Sequence, residues 1–218
     1  MNIANIDSEC NHDLSKHWED CHLMVEKEHH FFLTGSHLNQ YLQIFNCSNH
    51  YNISSNILEI GIGEGQVVRE MFNDGKNITT SDISESAKDK IKDIASYYHL
   101  NNIDNIPKNT FDIIFCHLVV QHIDDIMLEY HLKHFIPTLN NNGIYYIQYR
   151  GKHETKTDKN IDELCKYGDV TRTPEYFKNL VEKYNGIVIE DNLVRTGEYI
   201  EGKYKPWSWR VIKIKRNT

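Results

Sequence analysis

A carboxylate, three glycines and a second carboxylate stand at intervals suited to holding a small charged ligand. The run Asn56-Ile-Leu-Glu-Ile-Gly-Ile-Gly-Glu-Gly65 sets Glu59 just ahead of Gly61, Gly63 and Gly65. Glycines at alternate positions leave little side-chain bulk, so the backbone can bend tightly and bring its N–H groups close to a ligand. Asp82 comes seventeen positions after Gly65. A carboxylate at a strand end can accept hydrogen bonds from two vicinal hydroxyls such as those of a ribose. A second group of candidates is suited to moving protons or gripping an anion. His117 and His122 fall in Cys116-His-Leu-Val-Val-Gln-His-Ile123, His29 and His30 adjoin near the N-terminus, and Tyr149 and Arg150 close an apolar run. Histidines are candidate general bases, and an arginine fork suits a phosphate or carboxylate.

These residues need a scaffold, and the hydrophobic patterning supplies one. Ile57 to Ile60 reads as a buried strand entering the glycine turn, with a helix starting at Gln66. Asn77 to Ser81 is a second strand ending at Asp82, followed by a helix from Ser84, its capping serine, to Ala95. Ser96 to Leu100 is a short third strand and Phe111 to Cys116 a fourth. Asp124 to Leu139 reads as a helix closed by an Asn140 to Gly143 turn, and Ile144 to Tyr149 as a fifth strand. After a polar segment from Gly151 to Thr173 come a helix from Pro174 to Tyr184 and strands at Gly186 to Glu190 and Trp207 to Lys215. Upstream, Trp18, Cys21, His22, Val25 and His29 recur at helical steps between Leu14 and Phe32. Ser36 then caps a second helix facing inward with Leu38, Tyr41, Leu42 and Phe45. The alternation of strands and helices predicts an α/β chain with a doubly wound, mostly parallel sheet. Residues 1–53 form an N-terminal helical cap and residues 54–218 the core, in one compact domain.

A dinucleotide fingerprint G-x-G-x-x-G would need a glycine at position 66, where Gln66 stands. An acidic residue followed by G-x-G-x-G instead resembles the first motif of class I S-adenosylmethionine (SAM) dependent methyltransferases, and the resemblance covers roughly residues 54–216. It implies a seven-stranded sheet with the last strand antiparallel, SAM as cofactor and S-adenosylhomocysteine as product. By the same resemblance Glu59 lies near the methionyl amine, Asp82 holds the ribose and Ile83 packs on the adenine. The family's Gly-Asp-Ala-x-x-Leu-Pro stretch matches Asn101-Asn-Ile-Asp-Asn-Ile-Pro107. The adenine-amino partner then falls on Asn102, beside Ile103, with an amide oxygen in place of a carboxylate and Asp104 as the register-shifted substitute. His117 lines the cofactor pocket. Trp18 is either a core residue or part of an aromatic segment closing over the cofactor.

Cys116 and His117 occupy the place where nucleic-acid amino-methyltransferases carry Asn/Asp-Pro-Pro-Tyr/Phe and metal-dependent catechol enzymes an aspartate. A net charge of −7 also argues against a nucleic-acid groove. Five scattered cysteines suit reduced thiols, no apolar run reaches a membrane span, and a cytoplasmic protein, monomer or homodimer, without a structural metal is the expectation. Methyl transfer needs alignment and, for a hydroxyl acceptor, a base. His122, His117 and His30 are the candidate catalytic residues; Tyr149, Arg150 and His29 are placed to face the acceptor. A histidine on an apolar stretch such as that of His122 is more often a buried, hydrogen-bonded one. The reading is methylation of a small polar acceptor, at oxygen of a sugar, sugar-nucleotide or phosphorylated compound, with surface-glycan biosynthesis as a setting. N-methylation of a small amine and a non-catalytic SAM-binding partner protein are the alternatives.

Overall fold

The computed structural model describes residues 16–20, 36–151, 165, 170–200 and 203–218, with backbone alone at 195–200 and 203–207. His29, His30, Cys21 and His22, and most of the first predicted helix, lie outside the described residues; residues 16–20, which carry Trp18, are helical. Seven strands, β1 (Asn56–Ile60), β2 (Asn77–Asp82), β3 (Ser96–His99), β4 (Phe111–Cys116), β5 (Leu139–Gly151), β6 (Gly186–Ile200) and β7 (Lys203–Arg216), form one sheet. Their spatial order is β3-β2-β1-β4-β5-β7-β6. The first five run parallel, and β7 is antiparallel to both neighbours. The predicted sheet is therefore present, and its order reverses between β1 and β4, where open α/β sheets bind their ligands.

Each sheet face carries its own apolar layer. Ile57, Ile113, Phe115, Tyr146 and Val211 face α1 (His37–Ile44), α2 (Ser48–Ile53) and α3 (Gln66–Asn73). Leu58, Ile60, Ile114, Cys116, Ile147 and Tyr149 face α5 (Asp125–Phe135) and α6 (Pro174–Lys183). The parallel strands β1 and β4 are near-continuous apolar runs because both faces are covered. The Asp112 carboxylate pins the base of the sheet: it accepts from the backbone N–H groups of Ser55 and Asn56 at 2.8 and 2.9 Å and from the Asn140 amide at 2.5 Å.

Several boundaries differ from the sequence expectation. The helix expected from Ser84 to Ala95 is one turn, α4 (Ser86–Asp89), followed by turns through Ile94. Ser84 is not its cap: Glu85 holds that position without a side-chain cap bond, and the Ser84 hydroxyl donates to Glu19 instead. The Asn140 to Gly143 stretch lies within β5 as an irregularity in its pairing with β4. A Cβ on Gly143 would stand 2.4 Å from the Phe111 carbonyl, so that close strand approach requires glycine. The short helix α2 was not expected; Lys76 fastens its end by donating to the Tyr51 and Ser54 carbonyls at 2.9 and 2.7 Å. Strands β6 and β7 run far beyond the predicted segments as one long hairpin with register shifts.

Candidate active site

The glycine turn owes its shape to three residues in the left-handed region. Gly61, Gly63 and Gly65 have φ of 74°, 53° and 70°, a conformation that costs an L side chain strain. A Cβ on Gly61 would meet Val119 Cγ2 at 2.3 Å, so the loop after β4 lies directly on this turn. A Cβ on Gly63 would meet nothing within 4 Å, which leaves that side of the turn open. Gly65 precedes the first residue of α3, and Arg69 and Lys90 brace the turn's outer edge through the Glu64 carbonyl and carboxylate at 2.6 and 2.5 Å.

Asp82 at the end of β2 is buried and tied to the turn. Its Oδ2 accepts from the Ile62 N–H at 2.9 Å while Oδ1 accepts from Ser84. A carboxylate held at this strand end fits the vicinal hydroxyls of a ribose. Ile83, next in sequence, is half-buried against the core. His99 fixes the backbone here: its Nδ1 accepts from the Asn101 N–H at 3.1 Å, so Nε2 carries the proton donated to the Ile83 carbonyl at 2.8 Å. Asn102 is exposed and lines a cleft of about 250 Å³ with Glu85, Lys88, Tyr97, Tyr98, His99 and Asn105. The Ile103 side chain is fully buried in the core, and Asp104 faces His134 on α5 at 3.1 Å.

Glu59, near the end of β1, is the most unusual carboxylate of the site. It is buried; Oε1 accepts from the Tyr41 hydroxyl at 2.8 Å, and Oε2 has no hydrogen-bond partner among the described residues. Burial pushes its carboxyl up to about 8 despite the opposing pull of the Tyr41 hydroxyl. An orphaned buried carboxylate oxygen beside an open glycine turn fits the cationic amine of a methionyl group, so Glu59, Gly63 and Asp82 together fit SAM. His117 lies against Tyr41, with ring centroids 4.5 Å apart, and burial lowers its pKa to about 4. It is neutral at pH 7 and too weakly basic to be a strong proton acceptor.

His122 ends a short turn of 3-10 helix (Val120–His122), between Val120 and Ile123, which belong to the apolar layer of the other sheet face. Its Nδ1 is 3.0 Å from the Cys165 carbonyl, so Nδ1 carries the proton and Nε2 is the basic nitrogen. The Trp18 ring stands edge-on to His122 with centroids 4.7 Å apart. The adjacent Glu19 carboxylate accepts from the Ser84 hydroxyl at 2.5 Å. Residues 16–20 thus reach from the end of β2 to the loop after β4. Tyr149 is turned into the core: its ring packs on Phe177 and its hydroxyl donates to Asp191 at 2.6 Å. Arg150 points to the opposite face and stacks on Trp209, with its guanidinium carbon 4.8 Å from the ring centroid. Sequence reasoning missed Tyr41 as the partner of Glu59, and it missed His99 and Arg172. The Tyr41 position was visible as an inward-facing helix residue, but nothing in the pattern signalled its hydroxyl's partner. Among the described residues no group of three or more His, Cys, Asp or Glu is arranged around a metal position, and no helix is long and apolar enough to cross a membrane.

Glu59 gives a pH-dependence with a defined sign. The folded pKa lies above the ordinary 4.5, so its stabilising contribution is full below about 4.5 and is lost as pH rises through about 8. A methionyl ammonium favours the ionised carboxylate, so its binding expels the proton. SAM affinity is expected to increase from pH 6 to 7.5, with proton release seen by calorimetry in buffers of different ionisation enthalpy. Glu59→Gln should abolish that release; release that persists in the variant assigns the proton to another group.

The segment from 58 to 147 matches a family model described as a methyltransferase domain. No curated protein matches the chain in sequence. Similar solved structures include the CcbJ methyltransferase from Streptomyces caelestis, at 11% identity and TM-score 0.64, covering 95% of this chain and 100% of that one. The mitomycin 7-O-methyltransferase MmcR is similar at 15% identity and TM-score 0.60 over 82% of this chain; the match spans only 52% of that longer protein. The [4+2]-cyclase SpnF is similar at 10% identity and TM-score 0.60, over 87% of each chain. Likeness at these identities carries the fold, and the cyclase is a case in which a shared fold accompanies a different named reaction.

Proposed function

We propose that this chain, whose residues 58–147 match a methyltransferase-domain model, is a SAM-dependent methyltransferase that methylates a small polar molecule at a hydroxyl oxygen. The observation that carries the oxygen reading is the His122 ring, whose Nδ1 proton is spent on the Cys165 carbonyl. That bond puts the ring proton on Nδ1 and the lone pair on Nε2, the nitrogen that would take the proton an acceptor hydroxyl must lose as it is methylated. A neutral amine needs no such base before the transfer. The name of the mitomycin 7-O-methyltransferase gives the same acceptor element in a protein of this fold.

Bound SAM supplies a sulfonium methyl with a good leaving group already in place. The protein's own residues then have to align and shield. Asp82 holds the ribose hydroxyls, the open side of Gly63 admits the methionyl chain, and Glu59 balances its ammonium. Trp18, edge-on to His122, excludes water above the reacting atoms, and His122 Nε2 takes the acceptor proton. The polar composition of the segment 151–173 favours a polar or sugar-bearing alcohol, the class to test first, whereas Arg150 is occupied by its stacking on Trp209; none of the relatives named above carries a sugar in its name. The deciding experiment measures S-adenosylhomocysteine and methylated product by mass spectrometry across sugar phosphates, nucleotide sugars, phenols and amines. A hydroxyl acceptor giving both products supports the proposal. Turnover of amines alone overturns the oxygen reading, and cofactor binding without turnover of any class favours a non-catalytic role.

A further inference from the structure

Arg172 ends the polar segment that separates β5 from α6, and its side chain is 4% exposed. Burying a guanidinium is costly unless its donors are all used. Here the fork is spent on one loop: Nη1 donates to the Val120 carbonyl and Nη2 to the Ile123 carbonyl, both at 2.7 Å, and Nε donates to Asp125 Oδ1 at 2.8 Å. The two carbonyls flank Gln121 and His122. The backbone of the same segment completes the grip, because the Val170 N–H donates to the Gln121 carbonyl at 3.1 Å and the Arg172 N–H to the Arg150 carbonyl at 2.9 Å. The loop bearing His122 is therefore fastened to the end of β5 through one arginine. Leu118 in this loop has φ of 56°, a conformation that an L residue holds only when its surroundings impose it.

We propose that Arg172 is the positioning residue for His122: by locking the carbonyls on either side it sets the ring against the Cys165 carbonyl and aims Nε2 at the acceptor. The proposal rests on the reading of His122 as the base. A lysine would keep the charge but has no planar fork, so it cannot hold both carbonyls and Asp125 at once. A ring displaced by about 1 Å loses on the order of 100-fold in rate. The expectation for Arg172→Lys is a kcat lowered by about that factor, with the SAM dissociation constant unchanged and the ligand-free melting temperature only modestly reduced.

A double-mutant cycle, run with a hydroxyl acceptor from the screen above, separates positioning from a merely structural role. If Arg172 acts through His122, Arg172→Lys costs nothing further in a His122→Ala background. Multiplying losses overturn the proposal while leaving the base reading intact. A normal kcat in His122→Ala overturns the base reading, and the proposal with it. Nitrogen NMR of the labelled His122 ring, in protein saturated with S-adenosylhomocysteine, gives a readout that needs no acceptor. The wild type should show the proton held on Nδ1 and Arg172→Lys a mixture of tautomers; an unchanged ring spectrum overturns the proposal even if activity falls.

Discussion

Asp82→Ala is expected to erase the stabilisation that SAM gives the wild-type protein. A ligand present at about a hundred times its dissociation constant adds roughly 2.7 kcal/mol to the folded state. For a domain of this size that is a rise on the order of 5 to 10 °C in melting temperature. The carboxylate of Asp82 sits at the end of β2, one oxygen fixed to the Ile62 N–H and the other to Ser84, which holds it beside the glycine turn in the position expected of a ribose anchor. Two charge-assisted hydrogen bonds are worth about 3 kcal/mol or more together, a loss of at least about 100-fold in affinity. Asp82→Asn separates ligand contact from scaffold. It can still accept one backbone N–H, so its ligand-free melting should lie nearer the wild type than that of Asp82→Ala, while its SAM shift is largely lost. A full SAM shift in both variants would move the ribose anchor elsewhere, and a shift with NAD(H) in place of SAM would overturn the reading of the glycine turn.

The parts of the site that were legible in the sequence are those where backbone geometry dictates residue type. Gly61, Gly63 and Gly65 all adopt positive φ, and only glycine does so without strain, so the turn was written as a spacing. Strand β4 was read to its exact ends, Phe111 and Cys116, because a strand buried on both faces must be a run of apolar residues. Long-range partners leave no such trace. Tyr41 reaches Glu59 across the sheet face, and Arg172 reaches Val120 and Ile123 from beyond β5; neither pairing has a periodicity. Residues 84–95 look helical by local propensity, yet the helix lasts one turn, Ser86–Asp89, and turns through Ile94 carry the chain into β3 at Ser96, a tertiary requirement that local propensity does not record. In the β6–β7 hairpin, register shifts interrupt the alternation by which a strand is recognised. Tyr149 shows the limit of placing a residue by its strand end alone. It lies near the carboxyl end of β5 as read, but its side chain takes the core face and bonds Asp191.

His122→Ala carries the largest expected effect on turnover and decides between acceptor elements. A positioned general base contributes about 100- to 10,000-fold to a rate, equivalent to roughly 3 to 5 kcal/mol of barrier. With a hydroxyl acceptor, kcat should fall by an amount in that range while the SAM dissociation constant holds, because the contacts of His122 are with Cys165 and Trp18 and not with the Glu59–Tyr41 pair. The loss should shrink as pH rises, since hydroxide or an already ionised acceptor can replace the missing base. His122→Gln keeps much of the ring's bulk beside Trp18 but cannot accept a proton, so it should be as slow as the alanine variant; a glutamine variant near wild-type rate would assign His122 a packing role. His117→Ala gives the contrast. Burial holds the His117 pKa at about 4, so its removal should act on cofactor affinity through the Tyr41 contact and leave the pH dependence of kcat intact. The expected outcome separates the two histidines, five residues apart in sequence: losing His117 should change how tightly the cofactor is held, and losing His122 how fast the acceptor loses its proton.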